Sequence, residues 1–125
     1  METAMNPEMT MLETSKVPGT SVYGASRESI GEVDDLIVDT VSGKVRYAVL
    51  SFGGFLGLGK SSYVIPWTSL KWDQELNGYV TGVTEEQLKS SPDLDPTSLR
   101  SRDFEQRLHT NYGAPSYWDL ETRNN

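Results

Sequence analysis

The chain has no cysteine and one histidine, His109. Without thiols there is no disulfide, no thiolate metal site and no cysteine nucleophile, so a metal-dependent mechanism is disfavoured and no cofactor is expected. Bases are also scarce, eleven Lys and Arg against eighteen Asp and Glu, for a formal charge of −7. That sign repels nucleic-acid backbones and anionic membrane surfaces unless a basic patch is segregated. The densest basic group, Arg100, Arg102 and Arg107, is interleaved with Asp103 and Glu105, so it reads as a solvated helix face and no nucleic-acid partner is expected. No apolar run approaches the ~20 residues of a spanning helix, which argues against direct membrane insertion. The first fifteen residues, METAMNPEMTMLETS, have no Lys or Arg and no continuous apolar segment. They lack the marks of a signal peptide, and a cytoplasmic location is expected.

What is present is mostly β-pattern. Residues 1–15 read as a flexible leader. Residues 16–83 read as the barrel, with about six short strands. SVY precedes a turn; Ile30–Asp39 and Lys44–Phe52 flank a polar turn ending at Ser42-Gly43; SSYVIPW ends at a proline; and Asn77-Gly78 marks a further hairpin. The apolar phase slips between Ile30 and Val33, which predicts a bulge or strong curvature. Short strands joined by tight turns imply a mainly β protein, a small, strongly bent antiparallel β-barrel. Residues 84–118 read as a helical and aromatic extension. Thr84 with Gln87 forms a capping-box pattern, and Asp95-Pro96 predicts the start of a helix carrying Leu99, Phe104 and Leu108 on one face. Residues 119–125 read as a polar tail.

Gly54 to Ser61 fits the letters of a phosphate-binding loop, G-x-x-x-x-G-K-S. Such a loop must open into a helix, whereas Ser62-Tyr63-Val64-Ile65-Pro66-Trp67 is β-branched, aromatic and closed by proline. The stretch therefore reads as a strand connection displaying Phe55, Leu56 and Leu58, which must be buried in this chain, a twin or a partner. His109 is expected at the surface or as a cap near a helix end. Glu32, Asp34, Asp35 and Asp39 are expected to form a solvated face, because neighbours on a strand point apart. Tyr112, Tyr117 and Trp118 are expected to dock the C-terminal segment on the barrel or on a second subunit.

The order of these features, Gly19 to Asp73, resembles the PRC-barrel domain: Ile30-Gly31-x-Val33 followed by acids, a Ser-Gly turn, a Tyr-Ala-Val strand, the glycine loop and Ile65-Pro66-Trp67. The tail NYGAPSYWD is similar to the ending of small bacterial members. The domain occurs in the cytoplasmic part of the photosynthetic reaction-centre H subunit and in a ribosome-maturation factor, where it serves assembly and is not itself an enzyme. The chain shows neither the membrane helix of the first nor the separate N-terminal domain of the second. The resemblance implies a non-catalytic protein-binding module. A homodimer and an unidentified protein partner are expected, with contacts through Phe55, Leu56, Leu58, Tyr112, Tyr117 and Trp118. The alternatives are a reaction-centre-like role in electron or proton transfer, and a nucleotide- or phosphate-binding enzyme using residues 54–61.

Overall fold

Two β-branched runs, Ser29–Val38 (β2) and Val45–Phe52 (β3), pair antiparallel across a turn that Asp39 organises. Its carboxylate accepts from the Val41 and Ser42 amides at 2.9 and 3.3 Å, and Gly43 supplies a φ of 78°. The computed structural model, which describes residues 11–53, 62–93 and 98–123, adds four strands to this pair. They are Ser21–Tyr23 (β1), Tyr63–Pro66 (β4), Leu70–Asp73 (β5) and Gly78–Thr81 (β6). The sheet order is β4-β3-β2-β1-β6-β5. Every neighbouring pair is antiparallel except β1 with β6, which run parallel.

The slip in apolar phase corresponds to two bulges on β2. Ile30 is the extra residue opposite β1, and Asp34 is the extra residue opposite β3. Each bulge bends the strand and increases its twist, so the six strands curl into a half-barrel. The concave side holds the core, where Val22, Val33, Leu50 and Ile65 are fully buried.

Three helices follow: Glu85–Lys89 (α1), Arg102–Tyr112 (α2) and Tyr117–Arg123 (α3). α1 has the predicted capping box, with Thr84 Oγ1 accepting from the Gln87 amide at 3.1 Å and Gln87 Oε1 accepting from the Thr84 amide at 2.9 Å. α2 starts later than expected. The Asp95-Pro96 signal falls outside the described residues. The chain instead makes a 3₁₀ turn over Ser98–Arg100, and Ser101 caps α2 by accepting from the Phe104 amide at 3.2 Å. Leu99 is therefore not on the helix face; it is 38% exposed. Phe104, Leu108 and Tyr112, four residues apart, form the buried stripe, and α2 packs on β4. Each such side chain contributes about 2 kcal/mol on burial, which an eleven-residue helix needs because it is marginal alone. Gly113, at a φ of 62°, ends α2.

Asn77-Gly78 divides its work differently from a two-residue hairpin turn. Asn77 takes the left-handed conformation at φ 53°, while Gly78 already belongs to β6, where a Cβ would sit 2.6 Å from the Ser21 carbonyl oxygen of β1. That glycine serves strand approach. Among the described residues no helix is long and apolar enough to cross a membrane.

Candidate functional site

Polar and aromatic side chains converge where β3, α2 and α3 meet. Successive strand residues normally face opposite sides, but Arg46 is an extra residue in the β2–β3 register, since Ile37 pairs with Tyr47 and Val38 with Val45. The slip lets Arg46 and Tyr47 both reach the C-terminal segment. α2 contributes Glu105 and His109, one turn apart on the stripe beside Phe104 and Leu108. α3 contributes Tyr117, Trp118 and Glu121.

At the centre, the Tyr47 and Tyr117 hydroxyls both donate to Glu105 Oε1 at 2.7 Å. Arg102 Nε stands 3.6 Å from Glu105 Oε2. His109 joins through Nε2, 2.9 Å from Tyr47 Oη, and through Nδ1, 3.2 Å from the Ala114 carbonyl oxygen. A carbonyl only accepts, so Nδ1 carries the imidazole hydrogen and Nε2 faces the tyrosine with its lone pair. The single hydrogen of Tyr47 thus lies between two acceptors. Burial, and then Glu105, push the Tyr47 hydroxyl far above the usual tyrosine range, and push Tyr117 up to about 12. Burial lowers the pKa of His109, and wins over the Ala114 carbonyl and Glu105, which pull it up.

An outer ring of charge encloses this centre. Arg46 donates to Glu121 at 2.7 Å and to Asp39 at 3.1 Å, and its guanidinium lies 3.9 Å over the Tyr117 ring. Arg102 lies 3.9 Å over Trp118. Arg46 holds the Glu121 carboxyl below its ordinary range, while Asp39 is held low first by the Val41 and Ser42 amides and then by Arg46.

A phenol, a carboxylate and an imidazole in contact are the parts of an acid–base set, yet a catalytic group must reach substrate. Here Tyr47 is 2% exposed, His109 4% and Glu105 8%, under the Tyr117 and Trp118 rings. The arrangement is a closed clasp.

His109 corrects the expectation from sequence: it is neither a surface residue nor a helix cap. It lies beside the buried stripe, one turn past Glu105, so tertiary packing buries it. Nothing in the sequence marks Arg46 or Tyr47 as a site residue, and Glu105, expected on a solvated helix face, is buried because Tyr47 and Tyr117 close over its carboxylate. The one available signal was that Glu105 and His109, at spacing four, flank Phe104 and Leu108. Tyr112 is buried in the core, and Tyr117 and Trp118 are half-buried in the clasp. Phe55, Leu56 and Leu58 lie outside the described residues, as do residues 54–61 of the phosphate-loop pattern. The element that follows that pattern is strand β4, where a phosphate loop requires a helix. Asp34 and Asp35 are both exposed, and among the described residues no group of acids or histidine is placed to hold a metal.

Two open concavities border β5 and β6. One, of about 510 Å³, is lined by Arg27, Thr68, Lys71, Trp72 and Thr81 among others. The second, of about 320 Å³, is lined by Leu12, Trp67, Leu70, Trp72 and Tyr79, with Met11 at its mouth.

The family model for the PRC-barrel domain matches residues 9–86. No curated protein matches the chain. The match takes in all six strands, with Arg46 and Tyr47, and stops inside α1. Glu105, His109 and Tyr117 lie beyond it.

Proposed function

Because the chain belongs to the PRC-barrel family, we propose that it works as a non-catalytic protein–protein assembly module, with a second copy of itself as its first partner. The observation that carries this reading is the aromatic groove on β5 and β6. Trp67 and Trp72 meet the Tyr79 ring edge-to-face at 5.4 and 5.1 Å, and Met11 is 82% exposed beside them. Rigid aromatic rings bordering a groove, with large apolar side chains left in water, are what interface cores are built from. Phe55, Leu56 and Leu58 extend the proposal on sequence grounds, as does the outward part of Trp118. The net charge of −7 suits a protein partner better than a nucleic acid.

The test is light scattering on the wild-type chain and on Trp72→Asp, Phe55→Asp and Leu58→Asp, together with affinity purification from the native cell. A dimer that the aspartate variants dissociate supports the proposal. A wild-type monomer that recovers no partner would sink it.

A further inference from the structure

α3 has seven residues, too few to hold a helix in water unaided. Its attachment runs through the clasp. Tyr117 bonds Glu105 and lies under Arg46, Trp118 lies under Arg102, and Glu121 bonds Arg46 and Lys44, while Leu120 stays exposed. The rings of Tyr117 and Trp118 meet the imidazole of His109 edge-on at 6.2 and 5.4 Å, so the same two side chains that dock α3 also shield His109 from water. Docking of the strap therefore completes the burial of an imidazole already flanked by Tyr47 and the Ala114 carbonyl.

We propose that α3 is a pH-sensitive strap: protonation of His109 releases Tyr117–Arg123 from the barrel while the sheet and α2 stay folded. The groups facing the imidazole are Tyr47 from β3, Glu105 and Arg102 from α2, the Ala114 carbonyl and the Pro115 backbone from the connection, and Tyr117 and Trp118 from α3. Arg46 lies over the Tyr117 ring, with Asp39 and Glu121 on its guanidinium and Lys44 on Glu121. Among the inner charges, Glu105 favours an imidazolium, whereas Arg102 opposes it and the aromatic cover withholds water from it. Burial, to which this cover contributes, is the largest effect and outweighs the Ala114 carbonyl and Glu105, which pull the other way.

The sign follows by linkage. A docked strap holds His109 at a lower pKa than a released one, so docking binds fewer protons. It is complete above the ordinary histidine value, about 6.5, and weakens as pH falls through the docked value. Each unit between the two values lowers the docking constant by about tenfold.

With one histidine in the chain, the ring signals of His109 give a one-residue NMR titration, which can be followed beside hydrogen exchange of the 117–123 amides between pH 7.5 and 5. The expected result is a His109 midpoint below 6.5, with α3 protection falling at the same midpoint while α2 and the strands keep theirs. His109→Gln should abolish the pH dependence. Should that variant fail to fold, the wild-type titration alone decides. A midpoint above 6.5, α3 protection that ignores pH, or loss of protection throughout the chain together would each overturn the proposal.

Discussion

Removing one oxygen from the clasp, with Tyr47→Phe, tests whether the buried network is a stabilising structure or an incidental contact. The phenylalanine ring fills the same volume, so the change is confined to polar partners. Glu105 loses one of its two phenol donors, and His109 Nε2 loses its neighbour. A buried hydrogen bond to a charged group is worth about 1.5–3 kcal/mol, and the single Tyr47 hydrogen makes this one donated bond. We expect about 2–3 kcal/mol in total, a large part of the stability of a small domain, read as a melting temperature lower by roughly 10 °C. Tyr117→Phe removes the other donor from a half-buried ring and leaves His109 Nε2 untouched, so about 1 kcal/mol is expected. The assay is urea unfolding of both single variants, of Glu105→Gln and of the Tyr47→Phe/Glu105→Gln pair. The pair should show a coupling of about 1–2 kcal/mol. If Tyr47→Phe cost under about 0.5 kcal/mol, the ordinary surface value, or less than Tyr117→Phe, the reasoning would be refuted.

Other substitutions probe the frame around the clasp. Gly78→Ala should destabilise by about 2–3 kcal/mol, because the added carbon meets the β1 backbone, while Asn77→Gly should stay within about 0.5 kcal/mol; equal effects in thermal melts would contradict this division. Thr84→Ala and Ser101→Ala each remove an N-cap and should cost about 1 kcal/mol by urea titration. Asp39, Asp73 and Glu121 all have lowered pKa values, so their contribution is complete above the ordinary carboxylate range and is lost as pH falls below about 4, seen as a falling urea midpoint. Tyr47, Tyr79, Tyr112 and Tyr117 are raised; their contribution is complete below about pH 10 and disappears above it, so phenolate absorbance should appear together with unfolding.

Strands, curvature and helix stops were legible in the order of residues alone. Alternation of β-branched residues, the phase slip at Ile30 to Val33, the Ser42-Gly43 turn, the Thr84 capping box and Gly113 are local signals, each decided by backbone sterics and a few neighbouring residues. The start of α2 was misplaced because two capping signals compete within seven residues, Asp95-Pro96 and Ser101, and packing of Phe104 and Leu108 on β4 favours a helix that begins at the second. The parallel joining of β1 and β6 was equally hidden, since those strands are far apart in the chain and only closure of the half-barrel brings them side by side. The clasp belongs wholly to tertiary structure. Tyr47 is 58 residues from Glu105 and 62 from His109, and Arg46 is 75 from Glu121. Periodicity shows that a helix face is buried, but a hydrogen bond at 2.7 Å depends on how α2 and α3 settle on a strand whose register has slipped by one residue. That slip places Arg46 beside Tyr47, and the two together turn an aromatic chain ending into a fastening.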